Sequence, residues 1–209
     1  PSRGLGDVYK RQVQLHFGLP TFFQPLQAIA TYSFAENALG ILPGTPAPSE
    51  RFGQAVAFGD FNGDLKDDLA VGIPYDRNLC GTTPCAAGAV MVIDLDDNLS
   101  LGGYQMSLGR QGLPGLPAAD DEYGYAVATG DFDGDGYDDL AIGSPDEGFV
   151  ADGHCGEFGL CTGFGVVQIA WGGATGLGLS FDTYTFLDLG LEILDSGAFA
   201  LRMGTALAA

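Results

Sequence analysis

Short hydrophobic runs, separated by Gly, Pro, Asp and Asn, follow one another along most of the chain. The runs are a few residues long, contain β-branched or aromatic residues and are bounded by turn-forming residues, a pattern typical of β-strands. No helical periodicity extends over a useful length between them. The pattern therefore predicts an all-β fold, whose first clear strands cover residues 54–58, 69–73, 89–93 and 104–108.

The same pattern occurs twice, which indicates a repeated structural unit. The corresponding segments are 51–59 and 122–130, 69–74 and 140–145, and 88–93 and 165–170. Residues 202–209 copy the opening of a further unit, and residues 13–18 resemble residues 167–172. Each unit therefore predicts four short strands, and we expect the chain to be part of a longer array.

The length of the unit favours one architecture. A repeat of about 70 to 80 residues is too long for a solenoid coil of one or two strands and suits a four-stranded sheet with long loops. Repeated four-stranded sheets usually assemble radially as a β-propeller, which protects their edges. We therefore expect a partial β-propeller of antiparallel four-stranded blades, truncated at both ends; a stack of separate hairpin domains is the alternative.

The repeat divides the chain into five segments. Residues 1–12 carry three of the eight basic residues and show no strand alternation, so we expect a non-native or disordered tail there. Residues 13–50 would form the second half of a preceding blade and a connecting loop. Residues 51–121 and 122–201 would form one blade each, and residues 202–209 the first strand of the next repeat.

Two acidic loops lie at the same place in the two units. They are residues 60–70 (DFNGDLKDDLA) and 131–141 (DFDGDGYDDLA), and each has oxygen-bearing side chains at its first, third, fifth and ninth positions. Alternate residues of a tight loop can turn inward together, and a hard cation takes several oxygen ligands. Carboxylates this close repel one another unless a cation neutralises them. The loops therefore predict calcium binding; acidic surface turns without a metal are the alternative.

The residues around the loops resemble a known family. Phe52-Gly53 followed by residues 71–74 (VGIP), and Tyr123-Gly124 followed by residues 142–145 (IGSP), resemble FG-GAP repeats. Such repeats build the calcium-bearing propeller of integrin α-subunits and also occur in bacterial secreted and surface proteins. The resemblance covers residues 13–209 and implies two calcium sites, with main-chain carbonyl ligands at the seventh loop position. The implied ligands are Asp60, Asn62, Asp64, Lys66 and Asp68 in the first loop, and Asp131, Asp133, Asp135, Tyr137 and Asp139 in the second.

The two loops differ at positions that affect a metal. The sixth position is Gly136 in the second loop but Leu65 in the first, where a left-handed backbone would cost Leu on the order of 1 kcal/mol. Asn62 removes one negative charge, and the Lys66 ammonium lies nearby. We therefore expect the 131–139 site to be the tighter one. An EF-hand is disfavoured, because its glutamate at the twelfth position would fall on a hydrophobic residue in both loops.

Four cysteines lie in matching loops of the two units. Cys80 and Cys85 enclose four residues, and Cys155 and Cys161 enclose five. Three pairings are possible, and two local disulfides are favoured because the same loop would be closed in each repeat. Free thiols are the alternative. Disulfides and calcium both indicate an extracellular protein, either secreted or on the cell surface.

Composition excludes several classes of partner. The formal net charge of −19 would repel nucleic acids and anionic membranes. No apolar run reaches the roughly 18 residues that a transmembrane helix needs. The two histidines, His16 and His154, belong to no catalytic motif that we recognise, so we expect no enzymatic activity in this chain.

The sequence thus predicts an extracellular calcium-binding propeller module for protein or glycan binding or cell adhesion. Calcium would be structural, and the other blades of a longer chain would be its neighbours. An unknown ligand would bind the face opposite the calcium loops, around residues 77–85 and 149–161, as the resemblance to integrins implies. Two alternatives stay open: an accessory or scaffold propeller of a larger secreted enzyme, such as a hydrolase or lyase, and a purely structural spacer.

Overall fold

A computed structural model describes ten segments of the chain, between residues 12 and 208. These are residues 12–18, 28–35, 48–77, 86–95, 101–107, 120–146, 165–178, 180–185, 188 and 204–208. The regular elements within them are short β-strands and one 3-10 turn, Pro48–Glu50.

Two antiparallel sheets of four strands form most of the described structure. The first contains β3 (Val56–Gly59), β4 (Asp68–Ile73), β5 (Ala89–Leu95) and β6 (Leu101–Met106), in that spatial order. The second contains β7 (Ala126–Gly130), β8 (Asp139–Ser144), β9 (Val166–Ala170) and β10 (Phe181–Thr185), also in chain order. A separate antiparallel pair is formed by β1 (Gln12–Gly18) and β2 (Ala28–Ala35). The prediction of an all-β fold built from antiparallel four-stranded sheets is confirmed, and the meander of each sheet is that of a propeller blade.

The two sheets have the same register at the hairpin that carries the acidic loop. Gly59 pairs with Asp68 in the first sheet, and Gly130 pairs with Asp139 in the second. Each hairpin therefore encloses a loop of the same length, residues 60–67 and 131–138, and the ninth loop position becomes the first residue of a central strand.

Several of the predicted strand limits were wrong, including the ends of β5 and β6, which lie at Leu95 and Met106 and not at residues 93 and 108. Strand β3 begins at Val56 and not at residue 54, because the N–H groups of Gly53 and Gln54 both donate to the carbonyl oxygen of Gly72, at 3.1 and 3.2 Å, and form a turn. Strand β6 begins at Leu101 and not at residue 104, because two glycines pair with the end of β5 and extend the hairpin. Glycine pairs are ordinary turn signals, which is why the sequence pattern placed a loop there.

The central strands β4 and β8 are buried along their whole length. Side chains of a strand point alternately to its two faces, so each central strand packs on both sides. One hydrophobic cluster lies on one face of the first sheet and consists of Phe52, Leu69, Val71, Ile73, Met91 and Ile93. A second cluster joins the two sheets and includes Ala70, Val90, Val92 and Met106 from the first and Val127, Leu140 and Ile142 from the second.

The main chains of successive units touch at glycines. A Cβ atom added to Gly72 would lie 2.1 Å from the carbonyl oxygen of Gly124, and one added to Gly143 would lie 2.0 Å from that of Gly204. No side chain fits at either place. Gly204 therefore contacts the second unit in the same way that Gly124 contacts the first. The segment boundaries given above stay predictions, but this contact recurs at the spacing that they require.

Candidate metal centre

Each acidic loop folds around the carboxylate of its first residue. In the first loop, Oδ1 of Asp60 accepts hydrogen bonds from the N–H groups of Gly63 and Asp64, at 2.7 and 3.0 Å. Oδ2 of Asp60 accepts from the N–H of Leu65 at 2.8 Å. The carboxylate thus holds three successive N–H groups, which fixes the curvature of the loop.

The second loop repeats these bonds residue for residue. Oδ1 of Asp131 accepts from Gly134 and Asp135, at 2.7 and 3.0 Å, and Oδ2 accepts from Gly136 at 3.1 Å. The third and fifth positions also behave alike in both loops, because each side-chain oxygen accepts the N–H two residues further on, as in an Asx turn. Two loops of different sequence therefore share one backbone conformation.

The sixth position has a left-handed backbone in both loops. The φ angle is 67° at Leu65 and 92° at Gly136. A Leu in this region strains the backbone, whereas Gly adopts it readily. The Leu65 side chain is 93% exposed, so no packing compensates for the strain.

The carboxylates at the ninth position are buried. Asp139 accepts hydrogen bonds from the N–H groups of Phe132 and Gly172, at 2.7 and 2.8 Å. Asp68 accepts from the N–H of Leu95 at 3.3 Å. Asp68 is the first residue of β4, and Asp139 is the first residue of β8. Their hydrogen bonds to Leu95 and Gly172 link each loop to the end of β5 and to the chain just after β9.

Burial perturbs both of these carboxyl groups. It raises the pKa of Asp68 to about 6, and the charges of Asp94 and Asp64 add to the shift, although the hydrogen bond from Leu95 opposes it. Burial also raises the pKa of Asp139, against its two backbone hydrogen bonds. Both shifts mean that a negative charge is unfavourable at these places unless a positive charge offsets it.

The second loop brings three carboxylates together. Oxygen atoms of Asp131, Asp133 and Asp139 all lie within 4.8 Å of one another. Calcium takes oxygen ligands at roughly 2.3 to 2.6 Å, so two ligands on opposite sides of the ion lie about 5 Å apart. The donor set and its spacing therefore fit a calcium ion. The carboxylate of Asp135 is not part of this trio, and its Oδ1 accepts the N–H of Tyr137.

The first loop has a weaker set of donors. Asn62 replaces the aspartate of the third position, so the equivalent trio carries one negative charge fewer. Lys66 forms an ion pair with Asp64, with 3.5 Å between Nζ and Oδ2, and so places a positive charge beside a predicted ligand. A cavity of about 300 Å³ adjoins this loop, and its walls include Asp68, Asp94 and Tyr104.

Asp138 is a site residue that the sequence interpretation missed. Its Oδ2 accepts the N–H of Asp60 at 2.9 Å, and its own N–H donates to the carbonyl oxygen of Asp60 at 3.0 Å. The only sequence signal was the Asp-Asp doublet at the eighth and ninth positions of both loops. A doublet gives no hint that its first member would contact the neighbouring loop.

Other predicted features fall outside the described residues. All four cysteines, Cys80, Cys85, Cys155 and Cys161, lie there, and so does most of both predicted ligand-contact loops. The two disulfides therefore stay predictions. Within the part of the chain that the structure describes, no helix has the length and apolar character needed to cross a membrane.

Comparisons with known proteins agree with the geometry. The family model named FG-GAP repeat matches residues 52–93 and 123–158. The chain is 33% identical over 93 residues to integrin alpha-PS2 of Drosophila melanogaster, which covers 44% of this chain and 5% of the relative. It is 30% identical over 128 residues to integrin alpha-V of Gallus gallus (59% of this chain, 10% of the relative). It is 32% identical over 94 residues to integrin alpha-5 of Xenopus laevis (45% and 7%).

The chain therefore spans a tenth or less of the length of these curated relatives. The family match coincides with the two units that carry the acidic loops, and the first match ends within β5. Sequence, strand order and loop geometry agree on one assignment. The chain contains FG-GAP repeats, and over this region it is homologous to integrin α-subunits.

Proposed function

We propose that this chain is an extracellular calcium-binding β-propeller module that binds a protein or a glycan, with calcium in a structural role. The observation that carries the proposal is the duplicated acidic loop. Two loops share the same internal hydrogen bonds, and in the second of them three carboxylates converge to within 4.8 Å. A hydrogen-bonded frame that holds unneutralised carboxylates together is what a hard cation requires.

The proposed ions occupy two sites. The first would be held by side chains of Asp60, Asn62, Asp64 and Asp68 with the carbonyl of Lys66, and the second by side chains of Asp131, Asp133, Asp135 and Asp139 with the carbonyl of Tyr137. The ninth-position carboxylates belong to buried central strands, and Asp139 also bonds the chain that follows β9. An ion there would tie each loop to its sheet, which supports a structural and not a catalytic role.

The proposed location and partners depend on the homology. The relatives are named as integrins, and their likeness favours a protein ligand and an extracellular setting for this chain. We propose that the ligand binds on the face opposite the calcium loops, where the cysteine-containing loops would be closed by disulfides. Further blades of a longer chain would complete the propeller around these two sheets.

Thermal unfolding tests the metal claim. We expect excess calcium to raise the unfolding midpoint relative to the same protein in chelator, because a ligand that binds only the folded state stabilises it, by about 2.7 kcal/mol for one site at a hundredfold excess over Kd. The double substitution Asp64→Ala with Asp135→Ala should remove most of this calcium-dependent increase.

The control is Asp182→Asn, which removes one charge on β10 outside both loops. It should leave the calcium-dependent increase intact. Equal midpoints in calcium and in chelator for the unsubstituted protein would refute the calcium assignment.

A further inference from the structure

The second acidic loop holds the first ligand residue of the first loop. The carboxylate of Asp138 accepts the N–H of Asp60 at 2.9 Å, while the N–H of Asp138 donates to the carbonyl oxygen of Asp60 at 3.0 Å. Both backbone groups of Asp60 are therefore engaged by one residue of the neighbouring unit. The Asp60 carboxylate organises the first loop, and the position of Asp60 depends on Asp138. The conformation of the first loop therefore depends on Asp138 as well.

Two more contacts cover the first loop from the same side. The Tyr137 ring lies against the backbone of Gly63, where an added Cβ atom would be 2.5 Å from the ring carbon Cε1. The N–H of Gly173 donates to the carbonyl oxygen of Phe61 at 3.1 Å, and the Phe61 side chain is fully buried. Gly172, next to Gly173, donates its N–H to Asp139 within the second unit. The first loop thus rests on the parts of the second unit that surround the second site.

The contact is not reciprocal. Phe132, the equivalent of Phe61, is 42% exposed, and Asp67, the equivalent of Asp138, is exposed as well, since the parts of the units that would adjoin them in a propeller lie outside the described residues. Asp67 and Asp138 therefore occupy the same place in their own loops but have different surroundings. This difference supplies a matched control within one chain.

We propose that Asp138 is a positioning residue for the neighbouring metal site, and that calcium binding at the 131–139 loop strengthens binding at the 60–68 loop. The inference rests on the proposed function. Asp138 lies between Tyr137 and Asp139, two proposed ligands of the second site. When these two neighbours are fixed, the Asp138 carboxylate is fixed with them, and it holds Asp60 ready for the first ion. Coupling of this kind is reciprocal by thermodynamic necessity.

Residue-specific calcium titration tests the positioning role. Nitrogen–proton NMR spectra of the 209-residue chain report each loop separately, through the amides of Leu65 and Gly136. Because a hydrogen bond to a charged acceptor is lost, we expect Asp138→Ala to weaken calcium binding at the first loop about tenfold. Asp138→Asn keeps an oxygen acceptor and should restore most of the affinity.

Asp67→Ala is the matched control, because it removes the same charge from the first loop itself. It should weaken binding at the first loop less than Asp138→Ala does. If the two alanine variants weaken the first loop equally, or if Asp138→Asn is as damaging as Asp138→Ala, charge and not positioning is responsible and the proposal is wrong.

The coupling has its own test. With the second site disabled by Asp135→Ala, the first loop should bind calcium several-fold more weakly than in the unsubstituted chain. In an Asp138→Ala background, Asp135→Ala should produce no further loss at the first loop. Losses that simply add would contradict coupling through Asp138.

A metal-free measurement separates this proposal from the proposed function. Hydrogen exchange of the Asp60 amide should become faster in Asp138→Ala than in Asp67→Ala without any calcium present. If neither loop of the unsubstituted chain binds calcium, the proposed function fails. If calcium binds but the Asp60 amide exchanges at the same rate in both variants, the positioning role alone fails.

Discussion

The two acidic loops share a backbone but differ in what supports them. In the first loop, Phe61 is fully buried beneath the second unit, whereas the part of the next unit that would cover its equivalent, Phe132, lies outside the described residues. The first loop has the weaker set of proposed ligands, with Asn62 in place of an aspartate and a strained Leu65. Its external support comes from Asp138 and Tyr137 of the second unit. A metal site in a repeat array can therefore depend on its neighbour as much as on its own sequence.

The largest expected effect concerns the contact that places the two loops side by side. Replacing Gly72 by Ala would put a Cβ atom 2.1 Å from the Gly124 carbonyl oxygen, so the sheets must separate. We expect Gly72→Ala to destabilise the fold by about 3 kcal/mol, at the upper end of ordinary overpacking. Denaturant unfolding measures the change.

Gly102→Ala on β6 is the control for that substitution. The nearest atom to its added Cβ is 3.7 Å away, which is an ordinary van der Waals contact. A similar loss of stability in both variants would mean that glycine in a strand, and not the contact between units, explains the effect. The close contact between Gly72 and Gly124 would then contribute little to holding the two sheets together, and it could not explain how the first loop is supported by the second unit.

A second effect ranks the two sites. Asp135→Ala should reduce calcium binding by the chain more than Asp64→Ala, because the second loop carries one more carboxylate and no neighbouring ammonium. We expect the two sites to differ about tenfold in Kd, a difference of roughly 1.4 kcal/mol. Calorimetric titration of each variant measures the calcium Kd of the site that remains intact.

Removing the Lys66 charge sharpens this ranking. Lys66→Gln abolishes the ion pair with Asp64 and should bring the first site closer to the second. If Asp64→Ala proves the more damaging substitution, the support from the second unit outweighs the weaker ligand set, and the ranking is reversed.

Much of this architecture was accessible from the sequence, for physical reasons. Turn residues and strand alternation are local, so the four strands of each unit and the positions of both loops followed from short-range patterns. The left-handed sixth position could be anticipated because Gly136 stands opposite Leu65 in the alignment of the loops. Contacts between units are different. Nothing in the doublet of Asp138 and Asp139 indicates that Asp139 bonds its own loop and that Asp138 bonds the neighbouring first loop.

The burial of Asp68 and Asp139 is another non-local property. Both begin a central strand that is covered on two faces, and this covering raises their pKa values. Loop spacing predicted that their oxygen atoms are ligands, but it did not predict what surrounds them. The glycine contacts between units were equally hidden, because a glycine within a strand pattern also fits a bulge or a simple weak point.

The smallest effect isolates the sixth loop position. Leu65→Gly should raise the free energy of unfolding by at most about 1 kcal/mol, because it relieves the left-handed strain. Gly136→Leu should lower it by a similar amount, since no atom lies within 4 Å of an added Cβ there and only the backbone conformation is affected. The two substitutions swap the sixth-position residues of the loops and leave every other difference between the loops in place. If calcium affinity follows the exchange, backbone strain contributes to the ranking of the sites. If stability changes while both calcium affinities stay constant, the ranking of the two sites depends on charge alone. We expect the first loop to keep its conformation in the Leu65→Gly variant, because the hydrogen bonds of Asp60 and Asp138 hold it.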